Sequence, residues 1–307
     1  MRTAIIDEMR IPADVPAGSP RRHEPDVATH GVKTNDITPN DIARRLTGRD
    51  YISYSAVSTY QRCPLKYFFQ YVADLPFEHV ASSLIFGGAI HTAIEIHFRA
   101  LLAGETPPGL PDLLKVYDLA WKNDATGPVQ FAKGESDESL RDQAERMLMA
   151  FQASPESRVN GTILGVEEEF RAQVVPRCPD LVGRVDLLVL DEGGLRVIDF
   201  KTSRSRWNDG KIAEYAPQML LYSELIRPVA EASADAPVQI EWIVVTKAQS
   251  PTVETHTAHP EPHQVGRTKA VVKLVWDSIQ AGCFYPSPSP MNCGSCPYTS
   301  TCRQWEG

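Results

Sequence analysis

Two aspartates flank a stretch that reads as a tight turn. Between Asp186 and Asp199 runs Asp191-Glu192-Gly193-Gly194, a combination that favours a β-hairpin. Closing it pairs Leu190 with Leu195, and the same antiparallel register sets Asp186 directly opposite Asp199. Lys201 lies two residues past Asp199 and points to the same face, as does Arg184 across from it. Like charges opposed across a sheet destabilise it; a divalent cation between the two carboxylates turns that penalty into a site. Hard oxygen ligands suit magnesium or manganese. Such an ion polarises a phosphoryl oxygen and lowers the pKa of a bound water, while the Lys201 ammonium orients that water or offsets developing charge. That chemistry is phosphodiester hydrolysis. The plainer alternative is a solvated face on which Arg184 and Lys201 neutralise the aspartates. The apolar Val185, Leu187, Leu188, Val197 and Ile198 favour a central hairpin instead.

A second group of reactive residues sits at the far ends of the chain. Cys293-x2-Cys296-x5-Cys302 closes it, and Cys63 lies far upstream in Gln61-Arg62-Cys63-Pro64. Thiolates at this spacing are candidate metal ligands, and the spacing leaves zinc and an iron–sulfur cluster equally open. Cys178 reads as a small packed residue or a surface thiol, and Cys283 as a weaker rival for ligation.

The elements that must position these residues follow from periodicity and punctuation. Residues 1–48 read as a mostly disordered leader, with ordered chain from Tyr51. Ser55 is the expected N-cap of a short helix through Gln61, and Pro64 opens a second over 65–72. Within it Tyr67, Phe68 and Tyr71 are expected in the core rather than as stacking surfaces for bases. Helices are expected over 84–102, 110–122, 136–153, 212–226 and 261–280, and strands over 162–175, 181–190, 195–200 and 239–246. Alternation in Val166 to Phe170 turns Glu168 away from Glu167 and Glu169, and leaves the choice among these three acids open.

Composition bounds the rest. The chain has 307 residues, 42% hydrophobic and 23% charged, ordinary for a globular protein that forms one large domain or a domain with a helical insertion. No apolar run approaches the roughly 18 residues of a membrane span, and Ala4-Ile5-Ile6 followed by Asp7 and Glu8 is unlike a signal peptide. A cytoplasmic protein without membrane association is the expectation. A net charge of -8 argues against a whole-surface nucleic-acid binder but leaves room for a local basic groove. The sequence has no G-x4-G-K-S/T phosphate loop, so any helicase must be a separate chain.

Gly183-Arg184-Val185-Asp186, Asp199-Phe200-Lys201 and Gln218-Met219-Leu220-Leu221-Tyr222, preceded by Gly87-Gly88-Ala89-Ile90-His91, resemble the successive motifs of RecB-type nucleases in the PD-(D/E)xK superfamily. The resemblance runs from about Tyr51 to Cys302. It implies an α/β fold: a restriction-endonuclease-like core with a small mixed sheet flanked by helices, a helical N-terminal part and a cysteine-rich C-terminal clamp. The domain would span 49–307, with 104–160 as a helical insertion. It implies that His91, Asp186, Asp199 and the Phe200 carbonyl bind magnesium or manganese, that Lys201 is catalytic, and that Gln218 and Tyr222 position DNA. The cysteine frame is similar to that of AddB-type subunits and CRISPR-associated exonucleases, which implies a 4Fe–4S cluster on Cys63, Cys293, Cys296 and Cys302. Such a cluster would staple residues about 230 apart. The implied activity is a DNA exonuclease acting on single-stranded ends, in repair, recombination or CRISPR adaptation, beside a separate helicase or CRISPR integrase. The rival reading is a non-catalytic subunit that grips DNA ends or assembles a helicase–nuclease or integrase complex.

Overall fold

A helix occupies part of the stretch expected to be an unstructured leader. The computed structural model describes residues 37–232 and 237–306, and α1 (Pro39–Thr47) lies near its start. The sequence signals for it are local: Thr38 and Asp41 form a reciprocal capping box, Pro39 takes the first turn, and Gly48 closes the helix at φ 71°. A proline- and arginine-rich context hid them. Residues 1–36 of the expected leader lie outside the described residues.

The chain then runs through β1 (Tyr51–Ser53) into α2 (Tyr54–Arg62). The cap is Ser53 rather than Ser55: its Oγ accepts from the Ala56 amide at 3.3 Å, because the helix starts at Tyr54, directly after β1. Helix α3 (Pro64–Tyr67) starts at Pro64 and continues as a π-turn over Phe68–Val72. Tyr67 is buried there, packed edge-on against Tyr60, in the core as expected. A short strand β2 (Val80–Ala81) leads into α4 (Ser82–Leu102), followed by α5 (Leu110–Asp124), β3 (Val129–Gln130), which pairs with β2, and α6 (Asp137–Ala153).

The sheet strands come next: β4 (Thr162–Ala172), β5 (Asp180–Asp191) and β6 (Gly194–Ser203). After α7 (Asp209–Leu225) and α8 (Arg227–Ala232) come β7 (Val238–Thr246) and β8 (Val253–Ala258). Helix α9 (Pro262–Gln280) and two short helices, α10 (Pro290–Cys293) and α11 (Thr299–Arg303), finish the chain. The strands form one mixed sheet in the order β1-β5-β6-β7-β8, with β4 on the other edge of β5. The β5–β6 hairpin has the expected register, Leu190 opposite Leu195. A side chain at Gly194, at φ 121°, would sit 2.2 Å from the Pro237 carbonyl oxygen, so only glycine closes this turn.

Two apolar layers cover the sheet. One face buries Leu188, Val197, Trp242 and Val244 against Val57 of α2, Met219 and Leu221 of α7, and Trp276 of α9. The other buries Leu187, Ile198, Phe200 and Ile243 under Ile94 and Phe98 of α4, Leu113 of α5, and Met147 and Phe151 of α6. Within the stretch 104–160, expected as a helical insertion, α5 and α6 form part of the layer that covers this face of the sheet. Truncating Phe151, fully buried there, would cost about 3–5 kcal/mol.

The tail docks onto the N-terminal helices through bonds spanning most of the chain. The Tyr60 hydroxyl donates to the Cys283 carbonyl at 2.6 Å, the Leu65 amide to the Tyr285 carbonyl at 3.0 Å, and the Asn292 side-chain amide to the Arg62 carbonyl at 2.8 Å. Glu78 caps α11, accepting from the Ser300 and Thr301 amides at 3.1 and 3.2 Å. Leu65, Phe69 and Tyr298 are buried between the two ends.

Candidate active site

The topology of β5 creates the site. Its outer edge pairs with β4 along most of its length, so β1 and β6 share the inner edge. There β1 takes Asp180 to Val182, and β6 takes Leu187 to Asp191. Gly183-Arg184-Val185-Asp186 spans the gap between these partners, where the sheet forks. Strand β6 departs toward β7, with which it stays paired through Ser203. Gly183 is needed at the fork because a Cβ there would lie 2.5 Å from the Tyr222 ring.

At the fork, three acids stand on three neighbouring strands. Continuing the registers of the neighbouring pairs sets Asp186 level with Glu167 of β4 and Asp199 of β6. The Asp186 carboxylate spans the opening, accepting from the Phe200 amide at 2.8 Å, and lies 3.5 Å from His91 Nδ1. His91 comes from α4 across the sheet, and its ring also hydrogen-bonds the Phe200 backbone. One ligand atom each from His91, Glu167 and Asp186 come within 4.8 Å of one another. Asp199 is 3% exposed, and its carboxylate is held by Lys201, with Nζ 2.6 Å from Oδ1 and 2.5 Å from Oδ2.

His91, Glu167 and Asp186 come together at the fork, while Asp199, expected as a further ligand, is paired with Lys201. The i and i+2 side chains of a strand share a face, so Lys201 neutralises Asp199 directly. Glu167 is the member of its acidic triplet that faces the site. It sits at φ 54°, an unusual conformation for a side-chain-bearing residue.

The electrostatics are those of a place short of positive charge. Burial and the neighbouring Asp199 hold Asp186 well above the usual carboxylate range, and burial with nearby Glu95 lifts Glu167 to about 7. Burial and the Lys201 charge push His91 down to about 4, leaving a neutral imidazole able to ligate. Burial opposes the Lys201 ammonium, but Asp199 and Asp186 outweigh it and hold its pKa above normal. Two carboxylates that resist ionisation beside a neutral histidine suit a hard divalent cation. Glu95 went unnoticed in sequence, although His91, Glu95 and Arg99 recur every fourth residue on one face of α4, with Arg99 bound to Glu95 at 2.6 Å.

Gln218 and Tyr222 lie one turn apart on α7, joined by a 3.1 Å bond from the Gln218 amide to the Tyr222 hydroxyl. They line a cavity of about 550 Å³ together with Lys201.

A sequence profile of the PD-(D/E)XK nuclease superfamily matches residues 51–303. The chain belongs to that superfamily. Its nucleases use divalent metals, in keeping with the donor set at the fork. Among solved structures, an exonuclease, so described, from Eubacterium rectale is similar at 12% identity over 91% of this chain and 95% of its own, with a TM-score of 0.46. The protein SSO0001 is similar at 12% identity over 81% and 94%, with a TM-score of 0.34. No curated protein matches in sequence. Among the described residues no helix is long and apolar enough to cross a membrane.

The cysteine frame lies away from the fork. Cys63, Cys296 and Cys302 pack around Leu65, Phe69 and Tyr298. Burial raises the Cys302 thiol, and the charges of Cys63, Cys296 and Cys293 act on it in the same direction. No three described thiols come within 4.8 Å of one another, wider than the roughly 3.8 Å that tetrahedral zinc with 2.3 Å bonds imposes. Cys178 is 1% exposed, and burial lifts its thiol to about 11, matching a packed residue. Cys283 is exposed.

Proposed function

We propose that this chain is a magnesium- or manganese-dependent deoxyribonuclease of the RecB type that trims single-stranded DNA ends. The observation that carries the reading is the row Glu167, Asp186 and Asp199 across three strands, closed by His91 and Lys201. His91, Glu167, Asp186 and the Phe200 carbonyl would hold the cation. When bound, it supplies polarisation of the scissile phosphate and acidification of an attacking water. Lys201 places an ammonium beside the reacting phosphate and stabilises the charge that builds on its oxygens. Asp199 keeps that ammonium charged and aimed. Gln218 and Tyr222 hold the strand against the fork.

The four cysteines Cys63, Cys293, Cys296 and Cys302 are assigned a 4Fe–4S cluster that fastens the tail to α3. Three of them, Cys63, Cys296 and Cys302, pack around one apolar cluster. Work in repair, recombination or CRISPR adaptation, beside a separate helicase or an integrase, fits a nuclease without a motor motif.

The test is anaerobic purification followed by visible absorption and iron assay, then incubation of end-labelled single-stranded DNA with manganese beside an Asp199→Ala control. Progressive shortening by the wild type alone supports the proposal. Equal cleavage by the control sinks the active site, colourless protein with stoichiometric zinc sinks the cluster, and tight binding without cleavage favours the end-gripping subunit.

A further inference from the structure

The helical layer over Phe200, Ile243 and Val245 stops where α6 ends at Ala153. Beyond it, Arg196, Ile198 and Glu241 of the same sheet face line a cavity of about 330 Å³ with Glu156 and Arg158 of the segment after α6. Leu187, Ile198 and Ile243, all buried, give the cavity an apolar lining. One acid interrupts it. Glu241 stands inside β7, a central strand that is otherwise mostly apolar, and is 5% exposed. A carboxylate in such a place needs partners.

Its partners fall one positive charge short. Arg196 is the one cation within ion-pair distance of Glu241 among the described residues, with Nη1 3.3 Å from Oε2. The same guanidinium lies 2.9 Å from Asp191 Oδ2 through Nε, and its Nη2 donates to the Asn160 carbonyl at 2.9 Å. One guanidinium therefore serves two carboxylates. The second oxygen of Glu241 accepts no hydrogen bond among the described residues. The rim does not make up the difference: Glu156 accepts from the Thr255 hydroxyl at 3.1 Å, and Arg158 is exposed and makes no ion pair among the described residues. Burial outweighs Arg196 and holds the Glu241 carboxyl above its usual range. A buried carboxylate left without full compensation is costly, and a cation joining it removes that cost.

The chemistry of the lining narrows the choice of cation. Among the described residues, three His, Cys, Asp or Glu ligand atoms come within 4.8 Å of one another at the fork and nowhere else, so the cavity lacks the donor set of a metal centre. Its apolar side chains suit a ligand with a hydrocarbon body. We infer that this cavity binds a small organic cation, a primary ammonium or guanidinium on a short apolar chain, with its head on Glu241 and its chain on Leu187, Ile198 and Ile243. Side chains alternate along β6, which puts Ile198 on the opposite face from Asp199 and Lys201. The site is therefore separate from the fork, and it stands whether or not the chain cleaves DNA.

The experiment reads binding directly. The full chain, labelled at its isoleucine methyl groups for NMR, is titrated with n-butylammonium and n-butylguanidinium. Parallel titrations use n-butanol, butyrate and potassium chloride, which test the chain alone, the opposite charge and the charge alone. Either organic cation should shift the Ile198 and Ile243 methyl signals to saturation, and the three controls should not at equal concentration. Glu241→Gln should weaken the binding roughly tenfold or more, the loss of one charge-assisted hydrogen bond. Glu192→Gln, on the exposed hairpin turn, should bind as the wild type does. Melting curves report whether Glu241→Gln is folded, and the wild-type methyl shifts decide the matter if it is not. Unmoved Ile198 and Ile243 signals, equal binding of butanol, butyrate or potassium, or wild-type affinity in folded Glu241→Gln overturns the site.

Discussion

The fork and the tail closure solve opposite problems. At the fork, Glu167, Asp186 and Asp199 are crowded by a sheet register that ignores their repulsion, and two of them are pushed above their ordinary pKa. At the closure, Glu78, Asn292, Tyr60 and Tyr298 give the two ends of the chain satisfied hydrogen bonds around a small apolar plug. One region is left frustrated until a cation or substrate arrives; the other is at rest. The lesson is that polar residues in one chain can carry different energetic roles, crowded charge at the fork and satisfied hydrogen bonds at the closure.

The sharpest break in this comparison is kinetic. Asp186→Asn should lower manganese-dependent cleavage by about 10³-fold with little change in melting temperature, since it removes a repelled charge. A large loss of stability would show that the acidic row holds the fold together. The next effect is thermodynamic. Glu167 has a folded pKa of about 7, raised from an ordinary 4.5 by burial and Glu95. Its stabilising contribution is therefore full below about pH 4.5 and lost as pH rises through 7. Metal-free protein should be less stable at pH 8 than at pH 5 by about 1–2 kcal/mol, after discounting for the partial exposure of this side chain. Added manganese should reverse the trend, and Glu167→Gln should flatten it, as read by melting across pH with and without the ion.

Smaller effects probe the closure. Glu78→Ala removes the cap of α11 and should cost about 1 kcal/mol in denaturant unfolding, with iron content unchanged. Cys302→Ser should abolish visible absorption, yet raise hydrogen exchange only around 60–78 and 285–303, leaving β5 and β6 protected. Exchange spreading into the sheet would mean that the closure and the fork stand or fall together.

The sequence revealed most of this where local chemistry decides geometry. Gly193-Gly194 sets the hairpin, the hairpin sets Asp186 against Asp199, and Pro64 starts α3. What it concealed depends on tertiary context. Parity separates Glu168 from Glu167 and Glu169 but cannot choose between those two, which share a face. Three-residue β1 is too short to carry a period, and β8 is an edge strand whose Val253-Glu254-Thr255-His256 reads as polar loop. The pairing of Lys201 with Asp199 follows from strand geometry, but the meeting of His91 with Glu167 and Asp186 needs α4 to be packed on the sheet. Arg49, Arg62 and Tyr215 are scattered through the chain and line one cavity only in the folded molecule.

The bond from Asn292 to the Arg62 carbonyl has a consequence for how the molecule is made. A chain leaving the ribosome presents every sheet strand by residue 258, so the acidic row can assemble early. The Arg62 carbonyl gains its strut only when residue 292 emerges. A nascent chain therefore presents every strand of the sheet before residue 292 can brace the Arg62 end of α2.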